Sequence, residues 1–163
     1  MIVIADTSPL NYLVLIGAVE LLPTLYHSVI IPQAVFAELH AEETPQLVKE
    51  WIDSSPSWLE VKQADKTEPA WPENLDAGER EAIILAERLM ADALIIDDRD
   101  GRKEALQRGI KVIGTLGILN DAAIQGLIDL PAVLTKLRQT SFRADTRLII
   151  ALLEQDAERK RRQ

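Results

Sequence analysis

The chain has 163 residues, of which 47% are hydrophobic and 27% charged, a length and balance that fit one globular domain with a real core rather than a disordered chain. Its apolar runs, such as Tyr12–Ala18, fall far short of the roughly 20 residues of a membrane span, and with no cysteine neither a disulfide framework nor a thiolate zinc site is open to it. The formal net charge of −8 works against a purely electrostatic grip on nucleic acid, which draws on clustered Lys and Arg.

Met1 leads straight into Ile2-Val3-Ile4-Ala5 without a basic start or cleavage site, so no secretory signal and a cytoplasmic location are expected. Ile2–Ala5 reads as the first strand, followed by a helix from about Pro9 to Ile16 that Ser8 can cap and Pro9 can open. A short helix over Val19–Leu25 and a strand over Val29–Ile31 follow. Pro32 opens a helix carrying Val35, Phe36 and Leu39 on one side, with Glu38 one step from that stripe. Another helix is expected over Leu47–Ile52. Ser54–Pro72 is rich in Pro, Ser and charge and is the most loop-like part, with Leu59-Glu60-Val61 as a possible short strand. Asp76 caps a strong helix from Ala77 to about Met90. Ala93–Ile96 is fully apolar, as a buried parallel strand should be. A helix over Arg99–Gln107, a strand over Lys111–Ile113, helices over Leu116–Gln125 and Ala132–Arg138, and a surface helix over Asp145–Arg162 complete the chain. Apolar β-branched runs alternating with helical segments predict an α/β domain with a parallel sheet. One domain over residues 1–163 is expected, with a C-terminal helix at about 145–160.

The acids fall at informative places. Ligands of an open parallel sheet bind beyond the carboxyl ends of its strands. Asp6 follows the first strand, and Asp97 and Asp98 follow Ala93–Ile96, so they share one rim if these strands are neighbours. Taken singly, an Asp after a strand is equally a turn or cap residue. Glu79 lies in line with Ala82, Ile83, Ala86 and Met90 on the inner face of its helix, whereas Glu81 lies off that face. A Glu near a helix N-terminus also has a purely structural use there, and Glu38 also reads as a boundary residue whose head reaches water. Several carboxylates at one rim raise one another's pKa unless a cation sits between them, and oxygen ligands suit Mg²⁺ or Mn²⁺. His27 and His40 lack the spacing of a zinc ligand pair and read as surface or helix-end residues. Thr7 and Ser8 can orient a ligand or touch phosphate, although capping the first helix is the simpler use. Arg99, Arg102 and Lys103, with Arg108 and Lys111 nearby, can meet a phosphate backbone or form a solvated face, and Arg159-Lys160-Arg161-Arg162 makes a second basic run. Trp51, Trp58 and Trp71 can stack on bases, but covering the core is the plainer reading.

Four segments in order carry a resemblance: Ile2 through Leu10 with Asp6-Thr7-Ser8-Pro9, Ile30 through Leu39 with Pro32 and Glu38, Leu75 through Ile83 with Gly78, Glu79 and Glu81, and Leu94 through Arg99 with Asp97-Asp98. They resemble PIN-domain proteins, and Lys111 through Ile118 with Gly114-Thr115 continues the likeness over nearly the whole chain. The paired Asp97-Asp98 is similar to a prokaryotic subgroup described as predicted nucleic-acid-binding proteins and to the toxin halves of VapBC-type toxin–antitoxin pairs. The resemblance implies a three-layer α/β/α fold with a central parallel sheet. It also implies a pocket of three to four acids that binds Mg²⁺ or Mn²⁺ and hydrolyses RNA to a 5′-phosphate and a 3′-hydroxyl. Carried onto this sequence, the first acid is Asp6, the second Glu38, the third Glu79 in preference to Glu81, and the fourth Asp98 or Asp97. Asp6, Glu38 and Asp98 are then expected to hold the metal, Glu79 and Asp97 to complete the shell. A small antitoxin protein and a homodimer are the implied partners. For the dimer, Tyr12–Ile16 and Leu116–Ile124 offer apolar faces that core packing explains as well. A PIN-like binding or regulatory module without catalysis is the alternative. A receiver domain fits poorly, because one acid rather than two follows the first strand and Gly114-Thr115 stands where its late Lys belongs. An aspartate-nucleophile phosphatase fits no better, because Ser8 stands where its second Asp belongs.

Overall fold

The computed structural model describes residues 1–54, 56–65 and 70–163. Of the loop-like stretch Ser54–Pro72, residues 55 and 66–69 therefore lie outside the described residues. The chain forms two compact units, Met1–Thr115 and Leu116–Gln163.

The first unit is built on five parallel strands, β1 (Val3–Ala5), β2 (Val29–Pro32), β3 (Leu59–Lys62), β4 (Ala93–Ile95) and β5 (Val112–Ile113), in the order β3-β2-β1-β4-β5. Its helices are α1 (Thr7–Leu15), α2 (Leu21–Tyr26), α3 (Gln33–Glu38), α4 (Gln46–Asp53), α5 (Ala77–Arg88) and α6 (Arg99–Gln107). Every residue of β1, β2 and β4 is buried. Successive strand residues point to opposite faces, so both faces of the sheet centre are covered. That is the condition under which all-parallel sheets occur, and it explains their continuous Val/Ile/Leu runs. Ile4, Ile30 and Leu94 of adjacent strands pack on Ala82, Ile83 and Ala86 of α5 and Ala105 of α6 in one core cluster.

One detail differs from expectation. The first helix begins at Thr7, capped by the extended backbone of Asp6 rather than by Ser8, because the chain turns immediately after the strand. The possible strand over Leu59-Glu60-Val61 is present as Leu59–Lys62, an edge strand in register with Val29–Pro32, and its polar, part-exposed pattern suits an edge, where charge prevents edge-to-edge pairing.

The strand order reverses direction between β1 and β4. β1 connects outward to β2 and β3, β4 to β5, and β1 and β4 pair directly with Ala5 opposite Ile95. In open α/β sheets such a switch point leaves a crevice at the carboxyl ends of the strands. The Asp6 amide extends this pairing by donating to the Ile95 carbonyl at 2.9 Å, so the residues following the two strands share one rim.

In the second unit, α8 (Leu130–Arg138) and α9 (Thr146–Arg161) are each capped by an aspartate. Asp129 accepts from the Ala132 amide at 3.2 Å and Asp145 from the Arg147 amide at 2.9 Å. α7 (Thr115–Ile124) starts on the last residue of the first unit. Asp156 is buried and pairs with Arg159 at 2.7 Å and Lys160 at 2.9 Å, while Lys160 also reaches Asp129 at 3.3 Å. Arg161 and Arg162 both pair with Glu158. The C-terminal basic run thus has acidic partners within its own unit. In the two segments expected to offer self-association faces, Leu13, Val14, Ile16, Leu116, Ile118 and Leu119 are buried and Ile124 is exposed. No described helix is long and apolar enough to cross a membrane.

Candidate metal centre

Three helix starts and one helix end meet at the switch point. Asp6 is the N-cap of α1, Asp76 the N-cap of α5, Asp98 the N-cap of α6, and Glu38 the last residue of α3. Helix N-termini present free amides and a positive dipole end, which favours carboxylates there.

Glu38 is held from two sides. The Thr7 hydroxyl donates to Oε2, and the Gly78 amide donates to Oε1 at 3.1 Å. Gly78 is a glycine for a spatial reason: a Cβ there would stand 2.6 Å from Glu38 Oε1 and 2.7 Å from Oε2. Carboxylate oxygens of Asp6, Glu38 and Asp76, one from each, lie within 4.8 Å of one another. Asp6 is only 4% exposed, and its Oδ1 is buried with no hydrogen-bond partner among the described residues. Burial first, then the charges of Asp76, Glu79 and Glu38, push the Asp6 carboxyl well above its usual range, with the Thr7 amide pulling partly back. Glu38 is raised as well, chiefly by burial and with Asp76 adding to it, against the opposing bonds from Thr7 and Gly78.

An orphaned buried carboxylate oxygen facing two more carboxylates costs free energy unless a proton or a cation joins them. The donor set is oxygen only, which fits a hard divalent cation of the Mg²⁺ or Mn²⁺ kind. Asp6, Glu38 and Asp76 supply such a set.

In the sequence Asp76 reads only as a helix cap. It is a cap: its Oδ1 accepts from the Glu79 amide at 2.8 Å while Glu79 Oε2 accepts from the Asp76 amide at 3.1 Å, a reciprocal capping box. The Asp-x-x-Glu pattern at 76–79 could have signalled that arrangement, but not that the exposed side of the Asp76 carboxylate meets Asp6 and Glu38. Glu79 is 8% exposed, and its carboxyl is pushed up to about 7 by burial, with the charges of Asp76 and Asp98 adding to it and the Asp76 amide opposing. It stands behind Asp76 and acts on Asp6 through charge. Glu81 turns to α3, where its Oε1 accepts from the Ala34 amide at 3.2 Å.

Of the Asp97-Asp98 pair, Asp97 is committed elsewhere. Its Oδ1 accepts from the Thr115 amide at 2.7 Å and its Oδ2 from the Thr115 hydroxyl at 2.6 Å. Burial raises its carboxyl, with Thr115 and the Arg102 charge opposing. A Cβ on Gly114 would come within 2.8 Å of Arg102 Nη1 and 3.0 Å of Asp97 Oδ1, so Gly114-Thr115 is shaped around this aspartate. Asp97 thereby anchors the start of α7. Asp98 is exposed at the rim, its Oδ2 accepting from the Gly101 amide at 2.9 Å, and its charge reaches Glu79. The carboxylate oxygens that converge most closely are thus those of Asp6, Glu38 and Asp76, with Glu79 and Asp98 around them.

The remaining candidates separate clearly. Ser8 is exposed on α1, whereas Thr7 is spent on Glu38. Arg102 donates to the Ile96 carbonyl at 3.0 Å, and Arg108 pairs with Glu104 and Glu87; Arg99 and Lys103 are exposed. His40 bonds Phe36 and Asp53. Trp51 and Trp58 meet each other at 5.9 Å between ring centroids, and Trp71 packs on the α5–α6 core.

Comparison with known proteins agrees with this architecture. One solved structure, a PilT N-terminus domain protein from the hyperthermophilic archaeon Sulfolobus solfataricus, superposes with a TM-score of 0.51 over 89% of this chain and 100% of that one, at 17% identity. At that identity the likeness speaks for the fold. No curated protein matches the chain in sequence. Residues 2–158 match the family described as DUF3368, a PIN domain, and with a parallel sheet whose switch point gathers Asp6, Glu38 and Asp76, the chain belongs to the PIN-domain family.

Proposed function

We propose that this protein is a divalent-metal-dependent endoribonuclease, with Asp6, Glu38 and Asp76 as its metal ligands. Membership of a family with a nuclease-type fold supports the reaction class. The single observation that carries the metal site is the buried, unpartnered Oδ1 of Asp6 among converging carboxylates. Glu79 and Asp98 complete the acidic surround. Asp97 acts as a positioning residue, fixing the end of β4 and the start of α7.

Asp6, Glu38 and Asp76 would hold Mg²⁺ or Mn²⁺, which when bound would supply Lewis-acid chemistry toward a phosphodiester and its attacking water. The chain's own contribution is geometric and electrostatic. Thr7 and the Gly78 amide hold Glu38 in one orientation. The α1 and α5 N-termini offset part of the carboxylate repulsion. The buried setting of Asp6 keeps bulk water from screening the site. Hydrolysis breaks the bond from phosphorus to the 3′ oxygen, leaving a 5′-phosphate and a 3′-hydroxyl, the polarity that resemblance to PIN nucleases implies.

The toxin of a cytoplasmic toxin–antitoxin pair is the biological setting that fits. A basic segment of a small antitoxin would complement an acidic pocket on a chain of net charge −8, and self-association into a homodimer is part of the same reading.

The deciding experiment pairs calorimetric Mn²⁺ titration with cleavage of a single-stranded RNA. One Mn²⁺ per chain or more, cleavage abolished by EDTA and by Asp6→Asn, and an unchanged circular dichroism spectrum are expected. Mn²⁺ uptake without any cleavage would favour a binding module. No uptake at all would overturn the metal centre.

A further inference from the structure

A polyanion meets a chain of net charge −8 at a disadvantage, so the cations that no acid has engaged decide where it can be held. The most basic run of the sequence, Arg159-Lys160-Arg161-Arg162, is not that place. Its side chains pair with Asp156, Asp129 and Glu158. Residues 136–147 are different. They hold Lys136, Arg138, Arg143 and Arg147 against the single acid Asp145, a net +3 that leaves −11 on the rest of the chain.

The fold of the second unit gathers these cations. Lys160, near the end of α9, reaches Asp129 at the start of α8 at 3.3 Å, so the helices run back along each other and the end of α8 lies beside the start of α9. The turn between them is fixed from within: the Thr140 hydroxyl donates to the Leu137 carbonyl at 2.6 Å and accepts from the Phe142 amide at 3.1 Å. Lys136, Arg138, Arg143 and Arg147 are all exposed at this corner, and their side chains enter no ion pair among the described residues. Asp145 is turned to the Arg147 amide at 2.9 Å as the cap of α9.

The negative end of the α8 dipole accounts for Lys136 and Arg138 in its last turn. It does not account for the other two. Arg147 is the second residue of α9 and Arg143 precedes it by about a turn, at a positive dipole end where a cation is disfavoured. Cations held together against their own repulsion and against that dipole call for an external anion.

We infer that the α8–α9 corner is a backbone-binding surface: it holds the phosphates of an RNA through Lys136, Arg138, Arg143 and Arg147, without reading the bases. Three of the four are Arg, whose planar guanidinium can meet phosphate bidentately. The choice of RNA over an acidic protein segment rests on the ribonuclease reading. The acids at the switch point repel the polyanion on which they act, and a cationic surface elsewhere on the chain offsets that repulsion.

The test uses the whole chain with Asp6→Asn, which prevents cleavage, and fluorescein-labelled short RNAs of all-U and all-A sequence read by anisotropy at stepped NaCl. Arg143→Gln/Arg147→Gln is expected to weaken binding about 10-fold on either RNA. It should make the slope of log affinity against log salt shallower by about 1.4, two lost contacts at roughly 0.7 each on a single strand. Arg161→Gln/Arg162→Gln removes the same charge from the paired run and is expected to change affinity by less than about 2-fold. Circular dichroism of both variants should match the parent, because the substituted side chains are exposed. Equal losses in the two variants would reduce the effect to net charge and overturn the corner. So would unchanged affinity and slope in Arg143→Gln/Arg147→Gln, or a loss confined to one RNA. Polyglutamate displacing RNA at equal charge concentration would overturn the RNA assignment in favour of an acidic protein partner. The ribonuclease reading fails separately: a parent chain that takes up no Mn²⁺ and cleaves nothing, with corner-dependent RNA binding intact, strikes that reading and leaves the corner standing.

Discussion

At the scale of single residues, the site is a set of carboxylates in unequal surroundings. Asp6 is nearly sealed from water, Glu38 is half-buried and Asp76 is exposed. Asp6→Asn removes a buried charge and keeps the shape, so its melting temperature should equal or exceed the parent's without metal, while Mn²⁺ affinity and cleavage are lost. Gly78→Ala tests the support of Glu38. The new methyl would meet both Glu38 oxygens below 3 Å, and the far end of a flexible side chain can move aside. Stability should therefore change by less than about 1 kcal/mol, while metal affinity falls roughly 10- to 100-fold, the usual cost of disturbing a ligand's support. Glu79 sets a pH dependence. Its carboxyl titrates near 7 in the fold against about 4.3 in an unfolded chain, so folding favours the protonated form. The metal-free protein should lose stability as pH rises from about 4.5 to 7 and level off above that. Glu79→Gln should flatten that part of the curve in urea titrations at stepped pH. Metal binding runs the other way, strengthening through the same window, because the cation competes with protons for the cluster.

At the scale of elements, α5 has two tasks at its first turn. Asp76 caps the helix and also faces Asp6 and Glu38, and the tasks can be separated. Asp76→Ala should cost about 1 kcal/mol of stability through the lost cap along with metal affinity. Asp76→Ser, a comparable cap without a carboxylate, should keep stability within about 0.5 kcal/mol and still lose metal affinity. Chemical denaturation and calorimetry on the two variants check this. The element scale is also where legibility divides. The helix start at Asp76 was readable because capping is local, an Asp followed by the amide and side chain of Glu79 three residues on. Its place beside Asp6 and Glu38 was not, because it depends on α5 packing against β1 and β2. Asp97 and Asp98 show the same limit. Both follow a readable strand, but the turn after Ile95, with Gly114-Thr115 arriving from β5, decides that Asp97 faces Thr115 and Asp98 the rim.

At the scale of the whole molecule, a cation that binds only the folded chain adds stability by mass action. Mn²⁺ at 100 times its dissociation constant should add about 2.7 kcal/mol, a rise of roughly 5–10 °C in melting temperature for a chain of this size. Asp6→Asn should abolish that rise in differential scanning calorimetry. The net charge of −8 predicts that RNA binding rests on few cations, so log affinity should fall only gently with log salt; of the cations on α6, Arg99 and Lys103 are exposed and Arg102 is already engaged. What the sequence by itself determined was the alternation of elements, the burial of β4, the cap at Asp76 and the position of Asp6 at a strand end. Those follow from hydrophobic period and local backbone chemistry, which act over a few residues. Only the tertiary structure decided that β1 and β4 are neighbours, that Leu59–Lys62 forms an edge of the sheet, and that Asp76 rather than Asp98 converges most closely with Asp6 and Glu38. These depend on which residues, up to 90 apart, the crossovers bring within a few ångströms, and no local preference encodes that. For Asp6, the sequence places the acid, and the fold supplies the company that leaves its buried oxygen in need of a cation.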